Sequence, residues 1–257
     1  MRVLFCRKKM KQYKLLIAYD GTDYSGWIQQ KTRPSIVQTL QDSFASVFGR
    51  RIQILGASKT DAGVHALGQV AIFKTDIELD SHKVRWAWNN VLPSSILIRS
   101  LEADDQFHPH YHVKQKIYYY HLFVDRPLPF VTRYGQYVSR PFDPQQFQDA
   151  LDIFAGTHDF SAFYTGNDRE DAVRTIDAVR FEYIPRYNVY RVVVIGERFL
   201  RHMVRRMVGA ALAVASREGI THADIRDALQ TGGMHSQLPT APARGLLLRK
   251  IIYEEIK

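Results

Sequence analysis

The sequence predicts an α+β protein of two halves, each an antiparallel sheet with helices packed on it, and three observations carry that reading. Segments with the two-residue period of strands alternate with segments of helical period along the whole chain. At 257 residues, 46% hydrophobic and 24% charged, the chain can fill one or two cores and is no candidate for wholesale disorder. It has no low-complexity tract or short-period repeat, and no apolar run approaches the roughly 18 residues of a membrane span.

The elements follow in order. Residues 13–19 alternate as a strand, and Asp20-Gly21-Thr22-Asp23 breaks it. Ile36, Val37, Leu40, Phe44, Val47 and Phe48 recur at helical spacing, with Ser35 as N-cap. Strands over 51–56 and 67–74 flank a short polar segment, and a helix over 81–90 ends before Leu92-Pro93. In the second half, 116–124 is an aromatic strand and 144–154 a helix ended by Gly156. Residues 173–184 and 188–196 read as paired strands. A long helix is predicted over 199–217, a shorter one over 222–229, and a closing strand over 245–254. The acidic and polar run Glu102-Ala103-Asp104-Asp105-Gln106 marks the boundary. This gives a basic arm over 1–11, an N-terminal half over 12–104 and a C-terminal half over 105–257.

Lysines and arginines number 35 against 26 acids, a net charge of +9 with histidine neutral. Such an excess makes a polyanionic partner, nucleic acid first, a serious expectation. The start carries Arg2, Arg7, Lys8, Lys9, Lys11 and Lys14 with no acid among them, and lacks the long apolar core of a signal peptide. It reads as a solvated basic leader, with a mobile arm that adds phosphate contacts as the alternative. A single cysteine, Cys6, excludes an internal disulfide framework and a Cys-cluster zinc site, and fits a reducing, cytoplasmic setting.

Asp61 is the most informative residue for chemistry. It sits in a short connection between two strands, where a rigid scaffold can present one side chain to a cleft. Gly63 lets the backbone turn there, and Lys59 and His65 are near enough in sequence to influence the carboxylate. An ordinary Asx turn is the alternative. On the long helix, Leu200, Met203, Val204, Met207, Val208 and Ala211 form one apolar stripe. At about 100° per residue, Arg201 and Arg205 fall beside it and His202 and Arg206 on the far side. A border arginine can aim its guanidinium into a cleft and pair bidentately with a carboxylate or phosphate, or simply snorkel. Tyr118 and Tyr120 share one strand face, suited to stacking on a base or to core packing. His108, His110 and His112 alternate as a metal site would, but Pro109 lies inside the run and no acidic residue follows at a zinc-hydrolase spacing. Neither a Gly-rich phosphate loop nor a Gly-x-Ser-x-Gly elbow occurs.

The run Gly56-Ala57-Ser58-Lys59-Thr60-Asp61-Ala62-Gly63-Val64-His65-Ala66, followed by Gln69, resembles the catalytic motif of the tRNA pseudouridine synthase A family. Further blocks of that family occur in the same order. They are Tyr19-Asp20-Gly21-Thr22 with Gly26-Trp27-Gln29, then Asn89 with Leu92-Pro93 and Phe107-His108, then Lys116-Ile117-Tyr118-Tyr119-Tyr120. Gly156-Thr157-His158-Asp159-Phe160 with Phe163, Phe199-Leu200-Arg201-His202-Met203-Val204-Arg205, and Ala241-Pro242-Ala243-Arg244-Gly245-Leu246 complete the set.

The resemblance implies a pseudouridine synthase fold: two similar α/β halves forming a continuous mixed, mainly antiparallel sheet with a central cleft. It implies a homodimer that isomerises uridine to pseudouridine at positions 38, 39 and 40 of the tRNA anticodon stem-loop, with no cofactor. It makes Asp61 the essential carboxylate, attacking ribose C1′ or removing the 2′ proton. Arg205 pairs with it, Tyr118 stacks on the base and helps remove the C5 proton, and Leu246 forms an apolar wall. Lys59, His65 and Arg201 complete the expected substrate contacts. Lys59 stands where family members usually have arginine, and Pro109-His110 where they usually have Ala-Arg, so fixed positive charge is reduced. Two other readings are a non-catalytic RNA-binding protein on the same scaffold and a metal-dependent hydrolase resting on the histidine triplet.

Overall fold

The computed structural model describes residues 10–28, 33–166, 171–217, 219–232 and 238–254. Most of the predicted basic arm, Cys6 and Gln29 lie outside the described residues. The first strand, β1 (Lys11–Tyr19), already takes in Lys11 and turns Tyr13, Leu15, Ile17 and Tyr19 inward. Against that face lie α1 (Ile36–Phe48) and α2 (Ser81–Val91). Ser35 caps α1 as its sequence position predicts, its hydroxyl accepting from Gln38 N. Phe44 and Phe73 meet Trp88 edge-on at 4.9 and 5.7 Å, and the indole donates to Ser43 Oγ at 2.9 Å.

β2 (Ile54–Gly56), β3 (His65–Thr75) and β4 (Ile96–Ala103) complete this half, with β1 antiparallel to both β3 and β4. Periodicity passes over β4. Its buried positions are Ile96, Ile98 and Leu101, and the alternation slips at a register shift opposite Leu16 and Ile17. The acidic run begins as the end of β4, and the rest of it turns and is fastened to β1, with Gln12 N donating to Asp105 Oδ1 and Gln12 Nε2 to the carbonyls of Asp104 and Phe107.

The second half has β5 (Val113–Phe123) between antiparallel neighbours, β9 (Val189–Gly196) and β10 (Leu246–Tyr253). The short strand β6 (Gln136–Tyr137) pairs parallel to β5, and β7 (Gly156–Asp159) and β8 (Val173–Ile184) extend the sheet beyond β9. α3 (Pro144–Asp152), α4 (Met203–Ala215) and α5 (His222–Thr231) belong to this half, with α3 packed on α4. α4 is apolar almost all round and correspondingly buried. It begins at Met203, four residues later than the predicted helix over 199–217. Residues just before it turn, and His202 takes a left-handed conformation at φ 65°.

All described strands join in one ten-stranded sheet ordered β4-β1-β3-β10-β5-β9-β8-β7, with β2 on β3 and β6 on β5. This is the mixed, mainly antiparallel sheet that the sequence resemblance implies. The halves meet where β3 and β10 run parallel, Leu247 opposite His65 and Leu248 opposite Ala66. Gly68 allows that approach, since a Cβ there would stand 2.6 Å from the Arg249 carbonyl oxygen.

Candidate active site

The segment between β2 and β3 is fixed residue by residue. Gln69 brackets Ser58, donating from Nε2 to its carbonyl at 2.6 Å and accepting from its N–H at 3.2 Å. The Tyr118 hydroxyl meets Ser58 Oγ at 2.8 Å, and the Tyr19 hydroxyl meets Thr60 Oγ1 at 2.7 Å. Lys116 Nζ donates to the Ala57 carbonyl at 2.9 Å. Gly26 bridges to Asp61 at φ 101°, and a Cβ there would stand 2.6 Å from the Thr60 carbonyl oxygen. The loop backbone therefore has little freedom, and only glycine fits where the first motif crosses it.

Asp61 emerges from this frame into a cleft of about 780 Å³, its side chain 23% exposed. Three cationic or titratable groups surround the carboxylate: His202 Nε2 at 3.6 Å, Arg201 Nε at 3.8 Å and Arg205 Nη1 at 4.0 Å. These are charge contacts rather than the bidentate pair the sequence suggested. Arg205 spends its Nε on the Ala241 carbonyl at 2.8 Å, and Ala241 N–H returns a bond to the Arg205 carbonyl at 3.0 Å. Burial lowers the pKa of Arg205, and the Asp61 charge opposes the shift. Burial also lowers His202, again opposed by Asp61 and reinforced by the arginines at 205, 201 and 206.

Apolar and aromatic walls complete the cleft. Tyr118 is buried and meets Phe199 edge-on at 5.0 Å, and Leu246, on the neighbouring strand β10, adds a buried aliphatic surface. Burial pushes the Tyr118 phenol up to about 12; the Ser58 bond works against the shift and the Asp61 charge with it. A phenol held there is a neutral hydrogen-bonding group around pH 7. Lys59 is exposed on the loop, with His110 and Lys116 at the same end of the cleft.

The structure thus brings Asp61, Arg205, Arg201, Tyr118, Lys59 and Leu246 around one cavity. His65 is not among them. Its Nδ1 accepts from Gly21 N–H at 3.2 Å and its Nε2 donates to the Arg133 carbonyl at 2.9 Å, so the ring is spent on the Asp20 turn. It lines a separate pocket of about 340 Å³ with Asp20 and Tyr134. His202 is the residue the sequence placed wrongly. Helical arithmetic put it on the far side, but the chain is not helical there, and its positive φ coincides with its placement beside Asp61. Arg206 does point away, donating to the Tyr164 carbonyl at 3.2 Å. The predicted histidine row is a turn, with His108 stacked on Tyr111 at 3.9 Å and His112 at φ 57°. Among the described residues, no three His, Cys, Asp or Glu side chains converge as metal ligands.

One carboxylate among positive groups, between aromatic and aliphatic walls at the junction of two joined half-sheets, defines a site of the pseudouridine synthase class. The family described as tRNA pseudouridine synthase matches residues 15–112 and 150–254. The tRNA pseudouridine synthase A of Thermodesulfovibrio yellowstonii is 35% identical over 255 residues, covering 95% of this chain and 100% of its own. That of Acetivibrio thermocellus is 37% identical over 248 residues, with 95% and 100% covered. That of Streptococcus equi subsp. equi is 36% identical over 250 residues, with 96% and 100% covered. The chain belongs to the tRNA pseudouridine synthase family and is an isomerase that converts uridine to pseudouridine in tRNA.

Proposed function

We propose that the enzyme acts as a cytoplasmic homodimer on uridines 38, 39 and 40 of the tRNA anticodon stem-loop, with Asp61 as its essential carboxylate. The observation that carries this reading is Asp61 itself, held rigidly in a cleft with Arg205, Arg201 and His202 around it. The isomerisation breaks the C1′–N1 bond and makes a C1′–C5 bond. The C5 proton leaves and N1 gains one, so the net change needs no redox partner. Asp61 opens the reaction by attack on C1′ or by removal of the 2′ proton, and Arg205 orients it. Tyr118 stacks on the flipped base and Leu246 packs against it as an apolar wall, at an unstacking cost of a few kcal/mol. Lys59 and Arg201 contact the adjoining phosphates, as the basic composition supports.

Unmodified tRNA labelled with tritium at C5 of uridine tests this directly. Release mapping to positions 38–40 is the expected result. Asp61→Ala abolishes release while tRNA binding survives. Tight binding with no release by the unaltered enzyme would instead support the non-catalytic RNA-binding reading.

A further inference from the structure

Lys116 stands two residues before Tyr118 on β5, and both side chains line the cavity that holds Asp61. Its hydrogen bond goes to a backbone carbonyl, that of Ala57, where the Asp61 loop leaves β2. Tyr118 reaches the next residue, Ser58. β5 belongs to the half that carries Arg205, and Ala57 belongs to the other. Two side chains of one strand therefore fasten the loop across the junction of the halves. A charged donor makes the stronger of these bonds, roughly twice a neutral one.

The surroundings of Lys116 are mostly positive. Its pKa is lowered to about 8, by burial first and by Arg198 second, with Glu197 opposing the shift. Lys59 on the loop and His110 on the turn before β5 line the same cleft, and His110 is itself lowered, by burial and then by Lys116, His108 and Lys59.

We propose that Lys116 is a positioning residue for the isomerisation: its bond to Ala57 holds the Asp61 loop in place relative to Arg205. The proposal rests on the reading of Asp61 as the essential carboxylate. It predicts an alkaline limb in the catalytic step. As pH rises through about 8, the ammonium becomes an amine and the anchoring bond loses its charge.

Turnover, KM and tRNA affinity are measured from pH 6 to 10 for the wild-type enzyme, Lys116→Met, Lys116→Arg and Asp61→Asn. Lys116→Met is expected to lose about 100-fold in kcat, the scale of a misplaced reacting group, with KM and tRNA affinity nearly unchanged. Lys116→Arg recovers most of kcat and loses the alkaline limb. A Lys116→Met enzyme with wild-type kcat, or one whose defect lies in KM alone, overturns the proposal. So does an alkaline limb that persists in Lys116→Arg, which decides the matter if Lys116→Met does not fold. An active Asp61→Asn enzyme would sink the reading of Asp61 itself. An inactive one beside a fully active Lys116→Met sinks only the role of Lys116.

Discussion

In the proposed reaction Tyr118 has two uses for one side chain, a ring against the base and a hydroxyl bound to Ser58. With its phenol pushed up to about 12, the hydroxyl stays protonated through the neutral range while it bonds Ser58. Tyr118→Phe keeps the ring and removes one buried hydrogen bond, a loss of about 1 kcal/mol. Tritium release is therefore expected to fall less than tenfold, whereas Tyr118→Ala, which removes the wall, falls much further. A Tyr118→Phe enzyme as inactive as Asp61→Ala would mean that the hydroxyl moves a proton. At this scale the sequence is legible where a motif residue is tied to its own turn, as Asp61 is. It misleads where neighbours in sequence are not neighbours in space. His65 is four residues from Asp61 yet spends its ring on Gly21 and Arg133. His202 lies in a stretch whose true conformation the helical period cannot express.

Among the elements, α1 and α4 show how differently a substitution propagates. Ser35→Ala removes the cap of α1 and is expected to cost about 1 kcal/mol, lowering Tm with specific activity unchanged. Gly209 lies inside α4, where a Cβ would stand 2.2 Å from the Pro239 carbonyl oxygen. Because backbone must shift, Gly209→Ala is expected to cost about 1–3 kcal/mol. It also displaces the segment whose Ala241 carbonyl holds Arg205, so kcat falls with stability. Parallel thermal melts and turnover assays on the two variants check the contrast. Strong periodicity made both helices visible in sequence. The register slip in β4 and the two-residue length of β6 left those strands without a pattern to read.

For the molecule as a whole, charge sets two responses. Asp20 is raised by its partial burial, but bonds from Thr22, Arg133 and Tyr134 outweigh this and hold its carboxyl at about 2. A carboxyl held low stabilises the fold above its ordinary range, and that contribution disappears as pH falls through about 2. Asp20→Asn should remove about 2 kcal/mol at pH 6 and little at pH 2, measured by chemical denaturation. The excess of +9 predicts tRNA affinity that falls steeply with salt. Lys59→Met should reduce the slope of log affinity against log salt by about one, and an unchanged slope would remove Lys59 from the phosphate contacts.

The position of β10 bears on how such a molecule is made. It is the last described strand in chain order, yet it lies in the middle of the sheet, between β3 and β5. A ribosome therefore releases both half-sheets before the strand that joins them. Until residues 246–253 emerge, β5 presents an open edge along most of its length and β3 one at His65 and Ala66, the kind of surface that invites aggregation. Leu246 arrives with the same strand, so the cleft gains its aliphatic wall only at that final insertion. A nascent chain stopped before this point is expected to be inert toward tRNA and dependent on chaperones.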